Sequence, residues 1–311
     1  MNTLASGIGF ADLDFQGLHR IIATATLHGP DGVTVVDPGP SSTLAGLRRH
    51  LASIGATVAD VSALFITHIH LDHAGATGTL LRENPRIKVY VHEIGAPHMV
   101  DPSRLLSSAG RLYGDGMQRL WGEVAPVPAA ALIALKGGER IEAGGRSWEV
   151  AHTPGHASHH VSYFSADAGI AFVGDTAGVQ VVAGGFVLPP TPPPDIDIPA
   201  WTQSLELIER WHPETLFLTH FGPSGQVTSH LAELREHLQL AERIAREVIA
   251  ATTDEAAREA QFVERLRREI GRRATQDDLR TYEMAGRFDL NWRGIARYVL
   301  KAGRGDVRTS T

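Results

Sequence analysis

The chain has 311 residues, a formal charge of −6 and a pI near 6.2. It is long enough to bury a core without staples, and it lacks the basic surplus expected of a nucleic-acid binder. It contains no cysteine, which excludes disulfides, thiolate nucleophiles and cysteine-ligated metal sites together.

The opening, MNTLASGIGFADLDF, has neither a basic start nor an apolar stretch, and no run of about 18 apolar residues occurs anywhere. The expected location is the cytoplasm, away from membranes. Val33–Val36 reads as a short strand stopped by the turn Asp37-Pro38-Gly39-Pro40. Leu44, Leu47, Leu51 and Ile54 have helical spacing over 43–54, and Val61–Thr67 reads as a buried strand. A further strand follows at Ile87–Val91. Residues 95–130 mix Gly, Pro and Met with two weak helical patterns around Leu105 and Leu120, the texture of an insertion. Gly137-Gly138 and Gly144-Gly145 punctuate hairpin-like strands, the later one carrying Trp148, and Ile170–Val173 is again a buried strand. A proline-rich connection, PPTPPPDIDIP at 189–199, leads to a helix bearing Leu205, Ile208 and Trp211, then to a last strand at Thr215–Leu218. Beyond residue 230, Leu231, Leu234, Leu238, Ala241 and Ile244 form one helical stripe. Helices are expected over 255–270 and 276–301, with N-caps at Thr275 and Asp289 and a stop at Gly303. The division is therefore a core of 1–229 and a helical extension of 230–311, packed or dimerising.

Sixteen histidines accompany the missing cysteine, which directs attention to imidazole–carboxylate metal chemistry. The densest cluster is Thr67-His68-Ile69-His70-Leu71-Asp72-His73. In an extended chain residues i and i+2 share a face, so His68 and His70 can converge on one ion while Asp72 and His73 turn toward a second. His156 in HTPGH, Asp175 in VGDT and His220 in LTH lie at later strand ends or turns, where they can complete the shell.

These four motifs, in this order, resemble those of the metallo-β-lactamase superfamily over about residues 15–225. The resemblance implies an α+β four-layer αβ/βα sandwich with metal ligands along one edge, here with a C-terminal helical appendage. It implies that His68, His70 and His156 bind a first metal ion, that Asp72, His73 and His220 bind a second, and that Asp175 bridges them. Asp37 would order the ligands from behind, and His160 would do the same. Two zinc ions are expected; iron and manganese accept the same donors, but diiron relatives typically carry Glu where this chain has His70. The implied chemistry is hydrolysis by a metal-bridged hydroxide, with Asp72 and Asp175 as the catalytic carboxylates.

An ester, thioester or lactone is the expected substrate, a small molecule rather than nucleic acid. The residues after Asp175 (Thr-Ala-Gly-Val) depart from the glyoxalase II pattern. Phosphodiester or RNA cleavage and sulfur dioxygenation at a single iron are the alternatives, and a metal-binding protein without catalysis is the non-enzymatic one. His19, His28, His50, His92, His98, His152, His159, His212, His230 and His237 are expected to be structural or surface residues. Of these, His98 is placed to overhang the metals if the insertion does. The proline connection is expected at the rim of the site.

Overall fold

The computed structural model describes residues 2–306. Seven strands form the first sheet in sequence order: β1 (Asn2–Ala5), β2 (Ile8–Asp12), β3 (Ala23–Gly29), β4 (Gly32–Val36), β5 (Val61–Phe65), β6 (Lys88–His92) and β7 (Leu132–Leu135). Neighbours are antiparallel from β1 to β4 and parallel from β4 to β7. The second sheet holds β8 (Arg140–Ala143), β9 (Arg146–His152), β10 (Val161–Ser165), β11 (Ile170–Phe172), β12 (Thr215–Leu218) and β13 (Gly222–Ser224) in sequence order. Only β11 and β12 pair in parallel there.

The helices of the first half are α1 (Leu44–Ser53), α2 (Leu71–Ala74), α3 (Thr77–Glu83), α4 (Ala96–Val100), α5 (Ser103–Tyr113) and α6 (Met117–Trp121). Those of the second half are α7 (Ile198–Arg210), α8 (Val227–Ala251), α9 (Glu255–Gly271), α10 (Gln276–Gly286) and α11 (Phe288–Asp306).

Three buried clusters fill the three spaces of a four-layer α+β sandwich. Between the sheets lie Phe65, Trp148, Tyr163 and Phe172, with Phe65 stacked on Tyr163 at 4.6 Å between ring centroids. Leu47 and Leu51 of α1 and Leu80 of α3 close the outer face of the first sheet over Val35, Leu64 and Val89. Trp201 of α7 covers the second sheet together with Leu234, Phe262 and Trp292 of the C-terminal helices, above Ala171, Leu216 and Leu218. Strand β3 illustrates the pattern. Ala23, Ala25 and Leu27 enter the inter-sheet core, while Thr24 and Thr26 alternate with them. Both threonines are buried, so each needs a hydrogen-bond partner: Thr24 uses Val36 O and Thr26 uses the His50 ring.

Most of the expected elements are present, with instructive differences. The strand expected through Thr67 stops at Phe65, and 66–70 continues without ladder pairing. The insertion of 95–130 is three short helices, α4 to α6. Thr275 caps α10 through a reciprocal capping box with Asp278. The break to α11 falls at Arg287, with φ of 41°, ahead of the expected cap at Asp289. Asp289 therefore sits in the first turn and binds the Arg287 guanidinium through both oxygens. Nor does Gly303 stop α11, which runs to Asp306. No helix among the described residues is long and apolar enough to cross a membrane.

Candidate metal centre

Strands β4 and β5 run parallel, as do β11 and β12. β9 and β11 are each antiparallel to β10, so they share a direction. The segments leaving the carboxyl ends of these strands carry every candidate: Asp37 after β4, His68 to His73 after β5, His156 and His160 after β9, Asp175 after β11 and His220 after β12. One edge of the sandwich thus collects residues drawn from both sheets and from most of the core's length. Val161 N–H donates to Thr67 O and Ala23 N–H to Thr219 O, both at 2.8 Å, stitching the two sheets together beside the site.

Two donor groups result: His68, His70, His156 and Asp175 in one, and Asp72, His73 and His220 in the other. His70 Nδ1 lies 2.9 Å from His68 Nε2 and 3.0 Å from His156 Nε2. This convergence holds although 66–70 is not a strand. Asp72 and His73 follow on the single turn of α2. Asp175 faces both groups. Its Oδ2 is 3.3 Å from His156 Nε2, and its Oδ1 is 3.3 Å from His73 Nε2 and 3.5 Å from His220 Nε2. Asp72 Oδ2 is 3.5 Å from His220 Nε2. All are buried except His70 and Asp72, which are partly exposed.

His68, His73, His156 and His220 are each oriented from behind through the ring nitrogen that does not face the centre. His73 Nδ1 donates to Asp37 Oδ2 at 2.8 Å. Asp37 is saturated: it also accepts from Thr67 N–H, Thr67 Oγ1 and Thr219 Oγ1. Since the Thr67 hydroxyl donates to Asp37, it accepts from His68 Nδ1 at 3.2 Å. His156 Nδ1 donates to Pro190 O at 2.8 Å and His220 Nδ1 to Ile21 O at 2.6 Å. His160 packs its ring 5.1 Å from that of His68, with Nδ1 bonded to Thr153 and Thr176 hydroxyls. Gly174 is required just before Asp175. It has φ of 45°, and a Cβ there would meet Thr67 Oγ1 at 2.5 Å and His160 Nε2 at 2.6 Å.

Burial and the neighbouring imidazoles hold His68 and His70 well below the ordinary histidine value. Burial also pushes on His73 and His220, but the carboxylates, Asp175 foremost, carry both above it. Burial would raise Asp72 and Asp175. His73 and then His220 oppose it, holding Asp72 at about 2 and Asp175 well below the usual range. Among the described residues no Lys or Arg forms an ion pair with Asp37, Asp72 or Asp175. Buried anions need a cation, and here it must be imidazolium or a metal. The donor set fits a metal. His73 Nε2 and Asp175 Oδ1 are buried without a hydrogen-bond partner, and nitrogen and carboxylate donors suit zinc, iron or manganese.

A cavity of about 390 Å³ opens over the centre. Ile69, His70, Asp72, His156, Asp175 and His220 form its floor. Leu105, Ala109, Leu112 and Tyr113 of α5 wall one side, and Met284 to Arg287 with Leu290 and Asn291 wall the other. The proline connection contributes Pro190, Pro192 to Pro194 and Asp195, at the rim as expected, and His98 also lines the cavity. Arg287 lies 5.4 Å over the Tyr113 ring, so it joins the two walls. His159, expected to be a structural or surface residue, lines the cavity too. Its Nδ1 accepts from Ile69 N–H at 3.4 Å, and burial, opposed by Asp195, draws it down to about 4. Nothing in the local sequence marks His159, Tyr113 or Asn291. Their roles depend on segments that meet only in the fold.

Residues 22–220 match the family model of the metallo-beta-lactamase superfamily, and the chain belongs to that superfamily. A hydroxyacylglutathione hydrolase from a Synechococcus strain is 32% identical over 161 residues, 51% of this chain and 48% of the relative. The chain thus spans about half the length of the hydroxyacylglutathione hydrolases it matches. A metallo-beta-lactamase fold-containing protein of Sulfurisphaera tokodaii is 30% identical over 197 residues, 60% of this chain and 71% of that one. Among solved structures, a metallo-beta-lactamase family protein from Thermus thermophilus superposes with a TM-score of 0.70 at 21% identity. That match covers 97% of this chain and 95% of the other, a likeness of fold.

Proposed function

We propose that the protein is a dinuclear metallohydrolase acting on a small ester, thioester or lactone. His68, His70 and His156 would hold one ion and Asp72, His73 and His220 the other, with Asp175 shared between the two donor groups. Zinc is the metal best matched to these donors. The observation that carries the reading is the position of Asp175, whose two oxygens point to different donor groups. When bound, the ions supply an activated water near neutral pH and a Lewis acid for the substrate oxygen.

The chain's own residues do the rest. Asp37, Thr67, Pro190 and Ile21 fix the tautomers of His73, His68, His156 and His220, so those donor atoms are aimed before metal arrives. Asp72 stays ionised on the cavity floor, where it steadies its site and can accept a proton. Leu105, Leu112, Tyr113 and Trp121 line the cavity, exclude water and seat an apolar acyl group. Catalysis is assigned to residues 1–229, with the extension of 230–311 supplying a wall of the cavity.

The cavity favours an acyl substrate over a phosphodiester. Its lining offers two arginines, Arg104 and Arg287, and Arg287 is neutralised by Asp289. Relatives named hydroxyacylglutathione hydrolase favour a thioester within the acyl class.

The test is elemental analysis of the purified protein together with hydrolysis of an acyl-glutathione thioester, a lactone and a phosphodiester. Two zinc ions per chain and acyl hydrolysis that fails in Asp72→Ala would bear the proposal out. One iron without hydrolysis points to oxygenase chemistry, and preference for the phosphodiester overturns the acyl assignment.

A further inference from the structure

The family match ends at residue 220, yet the helices beyond it reach the back of the metal centre twice. The first contact is through the proline connection. Asn291 of α11 is buried, and its Oδ1 accepts from Thr191 N–H at 2.8 Å. Thr191 Oγ1 returns a bond to Asn291 O at 3.1 Å. One turn on, Gly294 packs so closely that a Cβ would lie 2.0 Å from Thr191 O. The residue preceding Thr191 is Pro190, whose carbonyl receives the His156 Nδ1 proton. The second contact is through the β2–β3 loop. Asp278 of α10 pairs with Arg20 at 3.0 Å, and Arg20 also donates to Val181 O at 3.3 Å. Arg20 adopts a left-handed φ of 64°, a conformation that costs a non-glycine residue energy unless its surroundings impose it. The next residue is Ile21, whose carbonyl receives the His220 Nδ1 proton.

We propose that α10 and α11 are positioning elements of the metal centre. Asn291 fixes the carbonyl that orients His156, and Arg20, held by Asp278, fixes the carbonyl that orients His220. This rests on the ligand assignment made under the proposed function. The two braces are separate: each serves one histidine, and those histidines belong to different donor groups. A helical extension that merely stabilised the fold would act on both groups alike.

The experiment uses the full chain with cobalt(II) as probe, comparing wild type, Asn291→Leu and Arg20→Met. Arg20→Met leaves the Thr275–Asp278 capping box intact. Stepwise affinities come from chelator competition, site identity from the cobalt absorption bands, and fold stability from melting of the metal-free chain. Asn291→Leu should weaken the His156 group by about 10- to 100-fold and spare the other; Arg20→Met should do the reverse, by a similar factor. The inference is overturned if both variants bind both ions like wild type, or if both affinities fall together in step with the metal-free melting temperature. Nitrogen-15 spectra of the metal-free chain decide it without any ion. His156 should carry its proton on Nδ1, protected from exchange, and that protection should be lost in Asn291→Leu; unchanged protection also overturns the inference. If wild type binds no ion, the ligand assignment has failed, and the spectra still report whether Asn291 orders His156.

Discussion

His73 and Asp37 share a 2.8 Å hydrogen bond between side chains that are both sealed from solvent. The carboxylate completes this contact while accepting three other hydrogen bonds, so it has no freedom to turn away. An Asp37→Asn substitution places an NH₂ among donors. It should lower metal affinity at the His73 group by about 10- to 100-fold and cost about 1–3 kcal/mol of stability. Chelator competition and melting check the two parts; affinity unchanged from wild type would remove Asp37 from the ordering role.

Gly155 has φ of 135°, and a Cβ there would lie 2.3 Å from the Trp201 Cβ. Neither partner is a flexible tip, so Gly155→Ala must shift the backbone that carries His156. A loss of about 2 kcal/mol or more is expected, accompanied by reduced metal content. Calorimetry of the metal-free variant beside elemental analysis tests this. Retention of both properties would mean that the 154–156 turn can yield without moving the ring.

Acid should destabilise the metal-free protein. His50, His230 and His237 lie outside the centre and are drawn below 6.5, burial being the first cause in each. As pH falls through 6.5 the unfolded chain takes up protons that the folded chain refuses, so stability is lost on the acid side. His68, His70, His156, His159 and His160 have the same sign. His73 and His220 oppose them: their raised values contribute below 6.5 and lose that contribution as pH rises. The depressed group is the larger, so urea midpoints should be lower near pH 5.5 than near pH 7.5. Equal midpoints would contradict this.

Ala109 lines the cavity from α5 and is buried. Enlarging it in Ala109→Trp should raise KM for a long acyl chain by about tenfold or more while barely changing that for an acetyl ester. Equal effects on both substrates would place the acyl chain elsewhere.

The sequence exposes the donors because hydrolytic metal chemistry packs them into short motifs. THIHLDH puts four of the seven candidates within six residues, and the structure brings all seven together. The four layers are legible for a related reason: short apolar runs such as Val61–Phe65 alternate with helical spacing such as Leu44, Leu47 and Leu51. Ile66 and Thr67 read as the end of the Val61–Thr67 strand because their side chains are strand-like, yet only pairing with a neighbour defines a ladder, and the ladder ends at Phe65. Asn291 is invisible for a deeper reason. Its bonding to Thr191 joins positions 100 residues apart, and an isolated Asn in a helix carries no signal of what it will meet. His159 is hidden by its neighbours: of the three histidines within 156–160, His156 and His160 match recurrent positions of the superfamily and His159 does not.

The close seating of Gly294 against Thr191 bears on how such a protein can diversify. Residues 284–287 with Leu290 and Asn291 wall the cavity, and the next turn grips the strap behind His156, so variation in that stretch disturbs metal retention as well as substrate fit. Helix α5 is freer. Leu105, Ala109 and Leu112 touch the cavity, and among the described residues no hydrogen bond ties α5 to a carbonyl that orients a histidine. Lineages acquiring new substrates should therefore accumulate their changes along α5 and keep 291–294 nearly constant.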